Sequence, residues 1–363
     1  MSTILIFCKT LLKGGAEKQA LTLSKLLTDK NLDIILICWC GNKIDDYNLD
    51  FIKNNSIKYV GLFGNPIKKF IHFLKIIRNE KIKIILCYLT KAIIIAGISK
   101  LFIKNLKTIG GIRTEKLPFC KFCIERFMNN RLNDATVFNN FSGKEKFEKR
   151  GFNPEKIVVI HNTIHVPPFQ KSIKVNDDIR IISVCRFVKS KDFHTALYAF
   201  KNLVENNRAL KFKYLIVGYG PLEKEIRHLA EELNLQKEVE ILINPPNIPD
   251  ILKTCNIYLS TSLYEGLSNS IMEAMVAGIP VIATNVGDNS YLIKDDYNGF
   301  IVPCGNIKVI VEKLEYLVNS EAVRNDFGKN SHLIIEKEFS EAKFLENYYK
   351  LFSKCHYVKN EVI

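Results

Sequence analysis

Tyr264 to Gly287 reads YEGLSNSIMEAMVAGIPVIATNVG. It opens on a carboxylate and a small-polar turn, continues as an amphipathic helical pattern, and ends in a strand-like run closed by glycine. Glu265 and Glu273 stand eight residues apart, separated by the Gly266-Leu267-Ser268-Asn269 turn. Ile271, Met272, Ala274 and Met275 supply an apolar helical face,. At 3.6 residues per turn, eight positions amount to about two turns plus roughly 80°. The turn therefore leaves Glu265 in the loop at the helix mouth, and Glu273 projects from about one turn in. Carboxylates so placed can hold both ends of one elongated polar ligand.

Outward from this stretch the chain alternates strand and helix patterns. TILIFC (3–8), DIILICWC (33–40), KIKIILCY (81–88), TIGGI (108–112), ATVFN (135–139) and KIVVIH (156–161) read as buried parallel strands,. A helix is expected over Glu17–Thr28, with Leu21, Leu23, Leu26 and Leu27 inward,. A second series follows: IRIISVC (179–185), KFKYLIVG (211–218), VEILI (239–243), IYLST (257–261), PVIAT (280–284) and GFIVP (299–303). Two β/α series in succession predict an α/β protein of two doubly wound domains. HVPPFQKSIKVNDD (165–178) breaks the pattern with paired prolines and marks the join,. The expected domains are 1–168 and 169–341. No short-period repeat or low-complexity tract is present.

Four ordered motifs carry a family resemblance. They are GGAEK (14–18), Arg186 with Lys191 after a strand, VGYGPLEKEI (217–226), and the Glu265-x7-Glu273 segment. Together they resemble glycosyltransferase family 4, the retaining GT-B glycosyltransferases also called glycosyl transferases group 1, from residue 4 to about 350. The resemblance implies two Rossmann-like β/α/β domains facing each other across a cleft. It implies a last helix, about 342–363, that packs back on the first domain. It further implies a retaining enzyme that moves a hexosyl or N-acetylhexosaminyl group from a nucleotide sugar, uridine diphosphate-linked by preference. Retention without an evident protein nucleophile suggests that the departing phosphate takes the acceptor's proton.

Each motif also has a chemistry of its own. Glycines at a strand-to-helix turn let backbone N–H groups approach an anion at a helix N-terminus. A plain tight turn explains Gly14-Gly15 equally well, and it is the resemblance that aims Gly15 at the diphosphate and sugar. Cations beside a departing diphosphate stabilise the transition state more than the ground state. Among 52 basic residues such a pair means little by itself, and Lys189 competes with Lys191 for the role. By resemblance, Glu265 lies near the donor hexose and Glu273 accepts from the ribose diol. The N–H groups of Gly266, Leu267, Ser268 and Asn269 meet sugar or phosphate. A helix-capping or solvent-facing acid remains the plain alternative for Glu265. Gly218-Tyr219-Gly220-Pro221 lacks G-x-G-x-x-G spacing, so no nicotinamide cofactor is supported,. It fits as a turn lining the nucleotide pocket. No Asp-x-Asp occurs in the chain, and no metal is expected.

The sequence departs from the family at three points. The region where many members carry a histidine reads GGIRTEKLPF (110–119), with Arg113 as a candidate for an acceptor phosphate or for the missing contact. Gly287-Asp288 stands for Gly-Gly, and Asn162-Thr163 for Asn-Gly. His161 and His165 are read as linker residues. Residues near Ile243–Ile248 and Asn285–Asn289 are expected to set base and sugar preference.

Composition bounds the rest. The 363 residues are 47% hydrophobic and 25% charged, ordinary for a globular chain of two domains,. TILIFC runs straight into Lys9, so no signal segment is expected,. The Cys38/Cys40 and Cys120/Cys123 pairs lack partners at zinc spacing, and the ten cysteines read as free thiols of the cytoplasm,. Residues 1–170 hold 28 Lys and Arg against 13 Asp and Glu, whereas the remainder holds 24 against 25. Residues 66–131 alone hold 15 basic and 3 acidic side chains. A lysine-rich surface of no consequence would produce this, but the neutral second half favours a first domain that faces an anionic membrane. Ile84–Ile103 is apolar enough to test as a span. Lys91 and Lys100 argue for a strand followed by an amphipathic helix instead,.

The function expected is thus a cytoplasmic, peripheral-membrane glycosyltransferase, acting on a lipid-linked saccharide or a lipopolysaccharide or capsule intermediate at the inner membrane face. A nucleotide-sugar epimerase of the same fold is the alternative enzyme; it would need no acceptor site and no basic face. A nucleic-acid-binding protein is the alternative without catalysis. It would need exposed aromatics interleaved with basic residues, and Phe70, Phe73, Phe102 and Phe127 read as apolar-face positions.

Overall fold

A computed structural model describes residues 3–12, 14–169 and 178–355. Lys13 of the glycine loop, most of the expected join and the last eight positions of the expected C-terminal helix lie outside the described residues. The chain divides into two compact units, Met1–Thr163 with Glu341–Ile363, and Ile164–Ser340.

In chain order the first unit contains β1 (Ile4–Cys8), α1 (Gly15–Asp29), β2 (Ile34–Cys38), α2 (Asp46–Asn54), β3 (Tyr59–Gly61), α3 (Pro66–Asn79) and β4 (Ile84–Tyr88). It continues with α4 (Thr90–Ser99), β5 (Lys107–Ile112), α5 (Phe119–Phe127), β6 (Ala135–Phe138), α6 (Phe141–Glu148) and β7 (Ile157–Val159). The second unit contains β8 (Ile179–Arg186), α7 (Phe193–Asn206), β9 (Phe212–Tyr219), α8 (Glu223–Glu232), β10 (Val239–Ile243), α9 (Ile248–Lys253) and β11 (Ile257–Ser260). After these come α10 (Asn269–Val276), β12 (Val281–Thr284), α11 (Asn289–Leu292), β13 (Gly299–Val302), α12 (Ile307–Val318) and α13 (Glu321–Glu338). The chain then returns to the first unit as α14 (Glu341–Lys354).

The first unit is a parallel sheet of order β3-β2-β1-β4-β5-β6-β7, and the second one of order β10-β9-β8-β11-β12-β13. Their strands are continuous apolar runs because both faces are covered. Ile4, Ile6 and Cys8 enter the core beneath α1 and α14, while the alternate Leu5 and Phe7 enter the core beneath α3, α4 and α5. The expected strands are all present, within three residues at each end. The unforeseen strand is β3, whose Tyr59, Val60 and Gly61 are only half-buried and too few to show a pattern.

The apolar stretch Ile84–Ile103 divides into β4 and α4, and Ala92, Ile93, Ile95 and Ala96 are buried in the core. Lys100 leaves that helix to bond Asp134 Oδ2 at 2.8 Å and the Leu132 carbonyl at 2.7 Å. Among the described residues no helix is long and apolar enough to cross a membrane. The expectation for the aromatics needs correction. Phe73 is buried, but Phe102 is 53% and Phe127 57% exposed. Phe102 lies past the end of α4 in a turn, where helical periodicity no longer tells inside from outside. All ten cysteines are free thiols.

Candidate functional site

In the second unit the strand order reverses beside β8: β9 and β10 lie on one side and β11 to β13 on the other. Ligands of open parallel sheets bind beyond the carboxyl ends of the strands at such a switch point. The two segments that leave this point are 186–192, after β8, and 261–268, after β11. They hold Arg186, Lys191 and Glu265.

The two segments are laced together by backbone. Leu263 N–H donates to the Ser190 carbonyl at 2.8 Å. The buried Thr261 hydroxyl reaches the carbonyls of Lys191 and Asp192, each at 2.9 Å. Asp192 is left-handed (φ 49°) and caps α7, accepting from Thr195 N–H, so the turn that delivers Lys191 is held from both sides. Lys191 Nζ forms an ion pair with Glu265 Oε1, and Ser262 Oγ donates to the same oxygen at 3.0 Å. Both side chains of the pair are mostly buried, 17% and 16% exposed. They line a small pocket with Cys185, Ser260, Ser262 and Ser270. Burial pushes the Cys185 thiol up to about 12, and Glu265 adds to the shift against Lys191. That thiol therefore stays protonated and offers no nucleophile.

The structure separates the two competing lysines. Lys189, on the 3-10 turn Lys189–Lys191, faces a different groove with His194 and Glu225, on the side of α8. Arg186 is the exposed last residue of β8 and stands in register with Tyr219 at the end of β9. Gly218 and Gly220 make that approach possible. A Cβ on Gly218 would lie 3.0 Å from the Cys185 carbonyl carbon, and one on Gly220 2.5 Å from the Phe187 carbonyl oxygen. Phe187 N–H donates to the Tyr219 carbonyl at 2.8 Å, and Leu222 N–H to that of Phe187 at 3.1 Å.

The helix expected between the glutamates is α10. Ser268 caps it by accepting from Ile271 N–H, and Ile271, Met272, Ala274 and Met275 are buried. Glu273 lies one turn in and half-buried, while Glu265 stays in the preceding loop. Leu267 points into the core, so only its backbone serves the loop. Asn269 is the first helical residue, directly after the Ser268 cap. Gly287 supports the loop from below with φ +55°. Asp288 N–H donates to the Gly266 carbonyl at 3.0 Å. Gly15 thus stands at a helix start and Arg186 at a strand end, Lys191 and Glu265 lie in the segments after β8 and β11, and Glu273 lies one turn into α10.

The first unit has its own reversal, beside β1. Gly14 caps α1 and Gly15 is its exposed first residue. Glu17 folds over that end with its carboxyl raised by burial, against a hydrogen bond from Thr10. Arg113 follows β5, but its fork is turned inward. Nη1 donates to Asn162 Oδ1 at 3.1 Å and Nη2 to the Tyr348 hydroxyl of α14 at 3.2 Å, and the guanidinium stacks 4.9 Å over the Tyr88 ring. These contacts make it a clamp on the returning helix.

Thr261 and Ser262 escaped the reading of the sequence, although Ser262 sits three residues before Glu265, within reach across a turn. Among the described residues no three His, Cys, Asp or Glu side chains gather as a metal-binding group.

The family model described as glycosyl transferases group 1 matches residues 168–333. The capsular polysaccharide biosynthesis glycosyltransferase CapM of Staphylococcus aureus is 25% identical over 91% of this chain and 93% of its own. An Escherichia coli protein, UDP-Gal:alpha-D-GlcNAc-diphosphoundecaprenol alpha-1,3-galactosyltransferase, is 25% identical over 92% of both chains. The fold matches that of Anabaena Alr3699/HepE, solved in complex with UDP, with a TM-score of 0.83 at 16% identity over 98% of this chain and 100% of that one.

Proposed function

We propose that this chain, a glycosyltransferase of GT-B fold whose residues 168–333 match the glycosyl transferases group 1, transfers a hexosyl or N-acetylhexosaminyl group from a uridine diphosphate sugar to a lipid-linked saccharide with retention. The observation that carries the donor site is the meeting of Lys191 with Glu265 at the β8/β11 switch point, in the loop that leads into α10. In this reading Lys191 leaves Glu265 for the diphosphate, and Arg186, held at the β8 end, supplies the second cation. Glu265, still tied to Ser262, accepts from the hexose hydroxyls, and Glu273 from the ribose diol,. The bond from the anomeric carbon to phosphate breaks, the acceptor oxygen bonds that carbon on the same face, and its proton passes to the phosphate oxygen. The two cations do the work of charge neutralisation, so the reading requires no metal.

Two relatives support the acceptor class: the E. coli galactosyltransferase is named for a diphosphoundecaprenol acceptor, and CapM for capsular polysaccharide. An acceptor of that kind places the enzyme at the cytoplasmic face of a membrane, on the basic first unit.

Calorimetric titration with uridine, guanosine and adenosine diphosphates tests the donor site on wild type, Lys191→Met and Glu273→Ala. Uridine diphosphate is expected to bind most tightly, and each substitution to weaken it about 10- to 100-fold, the loss of one or two charge-assisted bonds. Preference for another nucleotide overturns the donor. Unchanged affinity in both variants overturns the site.

A further inference from the structure

The right-handed crossovers put α3, α4 and α5 on one face of the first sheet, above the core of Phe73, Ile85, Ala92, Ile93 and Phe122,. The outer side of α3 carries Ile67, Ile71 and Lys75 at intervals of four, with Lys68 and Arg78 beside them,. Ile67 is 71% and Leu101 76% exposed. The turn after α4 adjoins this ridge. The Phe70 and Phe102 rings meet at 5.7 Å, and Arg78 Nη2 donates to the Phe102 carbonyl at 3.4 Å. Exposed aliphatic and basic side chains thus share one surface. The three acids of residues 66–131 are all engaged elsewhere: Glu80 pairs with Lys58 at 2.8 Å, Glu115 is held by Lys146 and Ser142, and Glu125 is buried.

We infer that α3, with the end of α4 and the turn after it (98–104), forms the surface by which this protein seats on an anionic bilayer, a refinement that rests on the lipid-linked acceptor reading. Only a lipid surface offers negative headgroups and an apolar layer a few ångströms beneath them, in the order that Lys68, Lys75, Ile67, Ile71 and Leu101 would meet them. Nucleic acid answers the charge but not the aliphatic ridge, since bases stack on aromatic faces. Here Phe102 is the one exposed phenyl ring of the surface, beside the four exposed aliphatics Ile67, Ile71, Ile98 and Leu101.

Co-sedimentation of the full chain with vesicles tests this. Wild type is expected to bind phosphatidylcholine vesicles containing phosphatidylglycerol, and not phosphatidylcholine alone. The triple variant Ile67→Asp, Ile71→Asp, Leu101→Asp, checked for its fold by circular dichroism, is expected to bind at least about tenfold more weakly. Lys68→Gln and Lys75→Gln are each expected to lose about fivefold on the anionic vesicles. Both sets should keep wild-type affinity for uridine diphosphate, which separates this surface from the donor site. The inference is overturned if wild type ignores anionic vesicles at low salt, or if the triple variant binds them as wild type does. It is also overturned if an oligonucleotide binds wild type and the triple variant equally well and displaces the vesicles. Loss of nucleotide binding with vesicle binding intact would strike the donor reading alone.

Discussion

Gly287→Ala gives the sharpest test of the site's packing. Gly287 lies at φ +55°, and a Cβ there would sit 2.5 Å from the Gly266 carbonyl oxygen and 2.8 Å from the Glu265 carbonyl carbon. Both are backbone atoms of the loop that carries Glu265, so relief requires the loop to move by roughly half an ångström or more. The left-handed backbone costs an alanine about 1 kcal/mol, and crowding of fixed atoms adds about 1–3 kcal/mol. Gly305 provides the control, because it has φ +69° and nothing within 4 Å of its would-be Cβ. Gly305→Ala carries the backbone term alone, and the unfolded-chain effect of Gly→Ala is common to both variants. Urea unfolding followed by circular dichroism is expected to place Gly287→Ala about 1–3 kcal/mol below Gly305→Ala. Calorimetry is expected to show uridine diphosphate binding at least about tenfold weaker in Gly287→Ala only, since the shift pulls Glu265 from Lys191. Equal stability and equal affinity of the two variants would refute the claim that Gly287 props the loop.

Two further outcomes concern the first unit. Burial raises the Glu125 carboxyl to about 7, against a hydrogen bond from Thr90, and its Oε2 has no partner. A folded-state value above the unfolded one means that the folded state holds the extra proton, so this stabilisation is full below about pH 4.5 and lost as pH rises through about 7,. Stability is therefore expected to fall by up to about 3 kcal/mol from pH 5 to pH 8, and Glu125→Gln to flatten that slope in urea unfolding. Arg113→Met removes the bonds to Asn162 and Tyr348. It is expected to cost about 2–4 kcal/mol and to speed amide exchange in α14; unchanged exchange there would contradict the clamp.

The sheets were legible because parallel strands buried on both faces are written as unbroken apolar runs, as in Ile4–Cys8 and Ile34–Cys38. β3 was not, since three half-buried residues leave no pattern. Helical period located Glu273 on α10 and hid the apolar face of Met272 and Met275, both local matters of a few residues. The same period misplaced Phe102, which lies beyond its helix.

What the chain's residues determine by themselves is therefore the order of strands and helices, the excess of positive charge in the first half, and the residues gathered at strand ends. Each depends on neighbours within one or two turns. The tertiary structure alone decided that Lys191 and not Lys189 meets Glu265, 74 positions away. It decided that Arg113 turns inward to Tyr348, and that Phe70 and Arg78 of α3 meet Phe102 in the turn that carries Leu101. Those outcomes follow from which strands lie side by side and which way a short turn faces, and no periodicity in the sequence encodes either.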